Sequence, residues 1–258
     1  MPPTRVAIIG DYGRPGEPAA AVAELVHAHR PDLVITTGDN TYIGGSTEEL
    51  ERAVGQYYHR YMHPYRGAHG PGADRKRFFP VLGNHDWDDG YPQPLLDYFE
   101  LPGRYYTVTW GPMQIFAVSS HFAEPDGYRV ETPQARWLQA ELAASTAPWR
   151  IVVMHHPPYS SGHHGPSAWM RWPYADWGAN VVLAGHDHIY ERLEIDGVLY
   201  LVNGLGGGAR YALGESPEPG SQATFNADHG ALLGEVSAER LTLRFLTRSG
   251  DLIDEVTR

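Results

Sequence analysis

Val6-Ala7-Ile8-Ile9-Gly10-Asp11-Tyr12-Gly13 runs from four apolar residues into a glycine and then an acid. The same grammar returns three times. Leu33 to Thr37 leads into Gly38-Asp39-Asn40-Thr41-Tyr42, Phe78 to Leu82 into Gly83-Asn84-His85-Asp86, and Val181 to Ala184 into Gly185-His186-Asp187-His188. A fifth run, Arg150-Ile151-Val152-Val153-Met154, ends on His155. Short apolar runs bounded by turn residues read as buried strands. In an open α/β sheet, ligands bind beyond the carboxyl ends of the strands, so five donor-bearing strand ends describe one site assembled from the whole chain. The donors are carboxylate, phenol, amide and imidazole without thiolate, which suits hard or borderline metals such as Fe, Mn or Zn. They are too many for one ion, and two adjacent cations can clamp the attacking and leaving oxygens of a phosphoryl displacement.

Outward from these segments, the first half alternates strands and helices. A helix is expected from about Ala19 to His29, with Val22, Leu25, Val26 and His29 on one face and Pro31 as its stop. Ser46 and Glu49 form a capping-box pattern opening a helix that carries Leu50, Ala53, Val54, Tyr57 and Tyr61. A short helix is expected over Leu95 to Phe99. Tyr105 to Thr109 and Met113 to Val118 flank Trp110-Gly111-Pro112 as a hairpin. Thr132-Pro133 reads as a cap and first turn for a helix through Leu138 and Leu142. Beyond Ala184 the pattern changes to short strands: Ile189 to Ile195, Val198 to Asn203, Leu232 to Val236, Leu241 to Thr247 and Leu252 to Val256. Tight turns such as Asp196-Gly197 and Ser249-Gly250 join them. The expected fold is α/β, two packed mixed β-sheets with helices on the outer faces. Without internal repeats or a low-complexity linker, residues 1–258 read as one catalytic domain. Two Gly- and Pro-rich stretches, His63 to Arg75 and Gly206 to Asp228, read as long loops at the rim of the site.

Composition bounds the function. Hydrophobic content of 42%, with seven Trp and sixteen Tyr, suffices for a large core. No apolar run reaches the roughly 20 residues of a membrane span. Met1 to Arg5 lead almost at once into the first strand, so no signal peptide is visible and a cytoplasmic location is expected, although a secreted chain trimmed of its leader reads the same. There are no cysteines, which excludes disulfides and thiolate metal sites. A net charge of −11 argues against a general nucleic-acid binder. It is compatible with an anionic substrate once two cations stand where that substrate lands.

Singly, a Gly-Asp after a strand is more often a turn than a ligand, and Asn-His-Asp alone is a hydrogen-bonded loop. All of them in order, each after an apolar strand, resemble the calcineurin-like metallophosphoesterase superfamily from Asp11 to His188. Within it the chain looks most like the purple acid phosphatases, tartrate-resistant acid phosphatases among them. Most of the superfamily carries Asp-x-His in the first motif; here position 13 is Gly. Purple acid phosphatases make the same change and supply a Tyr three residues after the second-motif Asp, where Tyr42 stands. The resemblance implies an α-β-β-α sandwich and two metals. Asp11, Asp39, Tyr42 and His188 would hold one, and Asp39, Asn84, His155 and His186 the other, with Asp39 bridging. A phenolate among carboxylates favours Fe(III), and the Asn- and His-rich side suits Fe(II), Zn or Mn. The family pattern Val-x-x-His, then any residue and Pro, selects His155 over His156, leaving His156 behind the site or exposed.

The resemblance also implies catalytic roles for His85, which would contact phosphate and assist the leaving group, and for His164, nine residues after His155. Asp86 is a candidate to hold the His85 ring. Trp169, Arg171, Trp172 and Tyr174 could form an aromatic wall with one cation beside the leaving group, and Arg192 and Arg210 are weaker candidates. His27, His29, His59, His63, His69 and His229 lack a strand-end context and read as structural or surface. The implied activity is hydrolysis of small phosphate monoesters by in-line attack of a metal-bound hydroxide. The alternative is a phosphodiesterase acting on cyclic nucleotides or other diesters with the same metals. Nucleic-acid or membrane partners are not expected, and the oligomeric state is left open.

Overall fold

The computed structural model describes residues 2–258. Its strands are β1 (Thr4–Ile9), β2 (Leu33–Thr36), β3 (Phe78–Phe79), β4 (Tyr106–Trp110), β5 (Met113–Ala117), β6 (Trp149–Val153), β7 (Val181–Ala184), β8 (Tyr190–Ile195), β9 (Val198–Asn203), β10 (Ser221–Phe225), β11 (Gly230–Val236), β12 (Leu241–Thr247) and β13 (Leu252–Thr257). The α-helices are α1 (Glu17–His29), α2 (Thr47–Leu50), α3 (Gln56–Tyr58), α4 (Gln93–Tyr98), α5 (Pro133–Ala144) and α6 (Tyr174–Trp177). One sheet has the order β13-β12-β11-β1-β2-β3, the other β10-β8-β9-β7-β6-β5-β4. Both are mixed: β1–β2–β3 and β5–β6–β7–β9 are parallel, and the remaining pairs antiparallel. Two mixed sheets with helices on their outer faces are the architecture expected from the sequence.

The apolar runs are continuous because the central strands are covered on both faces. In β1, Val6 and Ile8 enter the core between the sheets with Ile35, Ile151, Val153 and Leu183. Ala7 and Ile9 face the other way, onto Val22 and Val26 of α1 and onto Leu50 and Val54. In the second sheet Val152 and Val182 pack outward against Leu138 and Leu142 of α5. Truncating a fully buried Ile such as Ile8 to Ala costs about 2–5 kcal/mol, so these faces dominate the stability. No helix among the described residues is long and apolar enough to cross a membrane.

Four local expectations need correction. The third strand pairs only over Phe78–Phe79; Pro80 has no N–H to continue the ladder, and Val81 N donates instead to Thr36 Oγ1. The helix after Ser46 has its capping box, but widens into a π-helical segment over Glu51–Gly55 and closes as a 3₁₀ turn at His59–Tyr61. Thr132 precedes α5 without capping it, because its hydroxyl donates to the Arg129 carbonyl at 2.6 Å. Finally, the stretch 206–228 is not all loop. It contains β10, an edge strand antiparallel to β8 with alternating exposure.

Candidate metal centre

The parallel strands deliver the donors side by side. Register Ile9↔Thr36 between β1 and β2 sets Asp11 beside Asp39, and Asp11 N donates to Gly38 O at 3.1 Å. Val153↔Leu183 does the same for His155 and the His186–His188 turn. Glycines permit the crowding. Gly38 lies at φ +99°, and a Cβ there would stand 2.6 Å from His155 Nδ1; a Cβ on Gly83 would stand 2.1 Å from Asp39 Oδ1. Asp11, Asp39 and His186 themselves sit at φ 56°, 53° and 69°. Non-glycine residues rarely adopt these angles, and such strain collects at functional sites.

Two donor groups meet. In one, the Tyr42 hydroxyl lies 3.1 Å from His188 Nε2 and 3.3 Å from Asp11 Oδ1, and His188 Nε2 is 3.2 Å from Asp11 Oδ1. In the other, Asn84 Oδ1 lies 3.0 Å from both His155 Nε2 and His186 Nδ1. Asp39 stands between them. Its Oδ1 is 3.4 Å from His155 Nε2, and ligand atoms of Asp11, Asp39 and His188 fall within 4.8 Å of one another. The structure thus brings all seven residues named from the resemblance into one cluster. His155 Nδ1 donates to Thr37 O at 2.8 Å, and His188 Nδ1 to Ala209 O. These bonds fix each tautomer and turn Nε2 inward, the usual support for a metal-ligating histidine.

The electrostatics fit a cation. Burial raises Asp39 well above the ordinary carboxylate range, and Asp11 and Asp86 push it further. Burial raises Tyr42 too, with Asp11 and Asp39 adding. Burial would also raise Asp11, but His188 and His155 bring it below its usual value. Burial lowers His155 to about 4 and, helped by His155, His156 and His164, depresses His186. Burial would lower His188 as well, but Asp11 and the Ala209 carbonyl raise it; buried acids beside imidazoles form a set that a divalent or trivalent ion would satisfy.

The surrounding loops are locked by Asn40 and Asp86. Asn40 Oδ1 accepts from Tyr12 OH at 2.7 Å and Thr36 Oγ1 at 2.8 Å, while Nδ2 donates to Val81 O and Asp86 Oδ2 at 2.7 Å each. Asp86 also accepts from the backbone of Asn40, Thr41 and Gly83. Its expected role beside His85 is therefore wrong: its oxygens are occupied in tying two loops together. Asp88 holds His85 instead, with Oδ2 2.7 Å from Nδ1. The 3₁₀ turn His85–Trp87 carries residue 88 onto the same side as residue 85. The i, i+3 spacing was the available signal.

His164 reaches the site. Its ring lies 4.4 Å from that of His186, nearly parallel, and its backbone N donates to Asp187 Oδ1 at 2.8 Å. His156 is buried, 4.4 Å ring to ring from His186, with Nδ1 2.8 Å from Ser120 Oγ. Sequence reasoning missed Tyr211, whose ring stacks on His188 at 4.1 Å and 5°. The aromatic wall does not form. Trp172 and Tyr174 belong to the core behind the second sheet, and Arg171 binds Pro158 O and Glu218. Of the four only Trp169 approaches, 5.8 Å from the His156 ring. Arg192 is paired with Asp254 and Arg210 with the backbone of Asn226.

A two-sheet sandwich whose strand ends converge acids, amide, phenol and imidazoles on one buried point defines a metal-dependent phosphoesterase. Residues 4–190 match the calcineurin-like phosphoesterase family model, and the chain belongs to that family. It is 27% identical over 234 residues to purple acid phosphatase 17 of Arabidopsis thaliana, covering 77% of this chain and 67% of the relative. A yellow lupin purple acid phosphatase superposes with TM-score 0.79 at 18% identity, over 98% of this chain and 53% of its own. The GAP50 anchor of the Plasmodium inner membrane complex shares the fold as closely, with TM-score 0.78 at 18% identity over 99% of this chain and 88% of its own. The chain is similar to the purple acid phosphatases, matching 67%, 48% and 23% of the length of three of them.

Proposed function

We propose that residues 1–258 form a single catalytic domain that hydrolyses phosphate monoesters at a dinuclear centre. Asp11, Asp39, Tyr42 and His188 would hold Fe(III); Asp39, Asn84, His155 and His186 would hold Fe(II), Zn or Mn; Asp39 belongs to both sets. The observation that carries this is the division of seven donors into two close-set groups with Asp39 between them. When bound, such a pair of cations lowers the pKa of water enough to supply a nucleophile near neutrality and offsets the charge on the phosphoryl oxygens. The chain's own residues do the rest. His85, oriented by Asp88, donates a proton to the departing ester oxygen. His164, stacked on His186, supplies a second polar group over the phosphoryl face. Asn40 and Asp86 hold the two donor loops at fixed separation, so the donors are in place before substrate arrives.

Metal analysis of the native protein, paired with rates on p-nitrophenyl phosphate and bis(p-nitrophenyl) phosphate, tests the reading. Two metals per chain with iron among them, and faster monoester hydrolysis, are expected. A diester rate above the monoester rate would favour the phosphodiesterase alternative, and fewer than two metals would remove the dinuclear centre.

A further inference from the structure

We propose that Arg14 is a specificity-determining residue that receives a second anionic group on the substrate, carried by the leaving alcohol. This rests on the phosphatase reading above. A cavity of about 210 Å³ opens beside the donors, bounded by Tyr42, His85, His188, Tyr211 and Arg14. Arg14 is its one lysine or arginine among the described residues. The position is built on both sides. Gly13 N donates to Asp39 O at 3.1 Å and Tyr42 N to Gly13 O at 3.3 Å, so the turn carrying Arg14 is seated on the Asp39 loop. A Cβ on Gly13 would stand 2.3 Å from the Asn40 carbonyl carbon, which shows how close that seating is. Two residues beyond Arg14, Gly16 N donates to the Tyr57 hydroxyl at 3.1 Å. The facing wall is equally fixed, since Tyr211 N donates to His188 O and the two rings stack.

The guanidinium is uncommitted. Arg14 is exposed and enters no ion pair among the described residues, and the nearby acid Glu17 is engaged by Arg248 at 2.5 Å. In a chain of net charge −11, a free cation at the mouth of the site attracts anions that the rest of the surface repels. The reacting phosphoryl group has its own partners in the donor cluster and His164. Arg14 shares its cavity with His85, the group assigned to the leaving oxygen, so the charge it meets belongs to the leaving side. A carboxylate or a further phosphoryl group supplies that charge, and the guanidinium fork suits either. The hydrolysis is unaltered. Water provides the new P–O bond, the ester oxygen departs with its electron pair and takes a proton, and the second anion travels in the alcohol.

The test uses three matched esters on the metal-loaded protein: the phosphate ester of a hydroxy acid, the same ester with its carboxylate methylated, and an analogue with a second phosphoryl group in the carboxylate's place. In Arg14→Gln, kcat/KM for a charged ester relative to the methylated one should fall about tenfold, as expected for one charge-assisted contact screened at an exposed site. Arg14→Lys should restore part of the ratio, because it keeps the charge and loses the fork. The carboxylate and phosphoryl arms show which anion is read. A ratio within about twofold of wild type for both charged esters would overturn the proposal. If the wild type hydrolysed none of the three, the phosphatase reading would fail instead. Calorimetric binding of the charged esters would then judge Arg14, and equal affinity in wild type and Arg14→Gln would overturn it.

Discussion

Tyr42 lies against Asp11 and His188, and its environment says what it needs. Burial and two neighbouring acids push the phenol up, so only a strong cation can make it a phenolate at working pH. The oxidised wild type should therefore absorb in the visible through phenolate-to-iron charge transfer. Tyr42→Phe should bleach that band, as absorption and iron content measured together would reveal; a colourless, iron-replete wild type would refute the assignment. His85→Ala should leave both metals in place and slow turnover by about 10²–10⁴-fold. An alkyl phosphate should suffer more than a nitrophenyl phosphate, whose leaving group needs little protonation, and equal losses would point to phosphate positioning. Asp88→Asn should show the same selectivity at about 10–100-fold, a typical effect for a supporting partner. The clusters holding the seven proposed ligands were legible because each comes at the end of an apolar run, while the role of Tyr42 came from the family resemblance. Asp88 and Tyr211 were not, because a 3₁₀ turn and a long loop bring them in.

The segment carrying His164 is held by acids on and beside β8. Glu191, fully buried, accepts from Ser161 N, Ser161 Oγ and Ser221 Oγ, joining this segment to β10. Asp187 accepts from Ser160 Oγ at 2.6 Å and from His164 N. Glu191→Gln places an amide donor against hydroxyl and amide donors, so about 1–3 kcal/mol of stability should be lost. The released segment should also lower kcat while the metal content stays at wild-type level, which thermal unfolding and metal analysis would check together. An unchanged kcat would show that the His164 segment does not depend on this acid. At this scale the sequence spoke unevenly. Asp196 and Gly197 adopt φ 51° and 77°, as an Asp-Gly hairpin turn requires. β10 escaped notice because Ser221-Gln222-Ala223-Thr224-Phe225 has little apolar signal and pairs only along an edge.

Across the whole molecule, histidines outside the donor cluster tie stability to pH. Burial lowers His27, His29 and His229 below their usual 6.5. The unfolded chain therefore binds more protons than the folded one once pH falls below about 6.5, and stability should decline from there until the depressed folded values are passed. His27→Gln removes one such group, so urea unfolding of the variant should lose less stability between pH 7.5 and 5.5 than wild type does. An identical slope would mean that His27 does not contribute. The two-sheet plan was readable at this scale because apolar runs and turn residues alternate cleanly. The strand order was not, since β11 reaches β1 across more than two hundred residues.

The seven donors are divided between the sheets: Asp11, Asp39, Tyr42 and Asn84 follow strands of one, His155, His186 and His188 strands of the other. Neither half owns a complete set. A partly folded chain in which only one sheet has closed offers either Asp11, Asp39, Tyr42 and Asn84 or the three histidines, never both. On the proposed reading, metal capture would therefore be a coincidence detector for finished assembly, answering only when both sheets have docked.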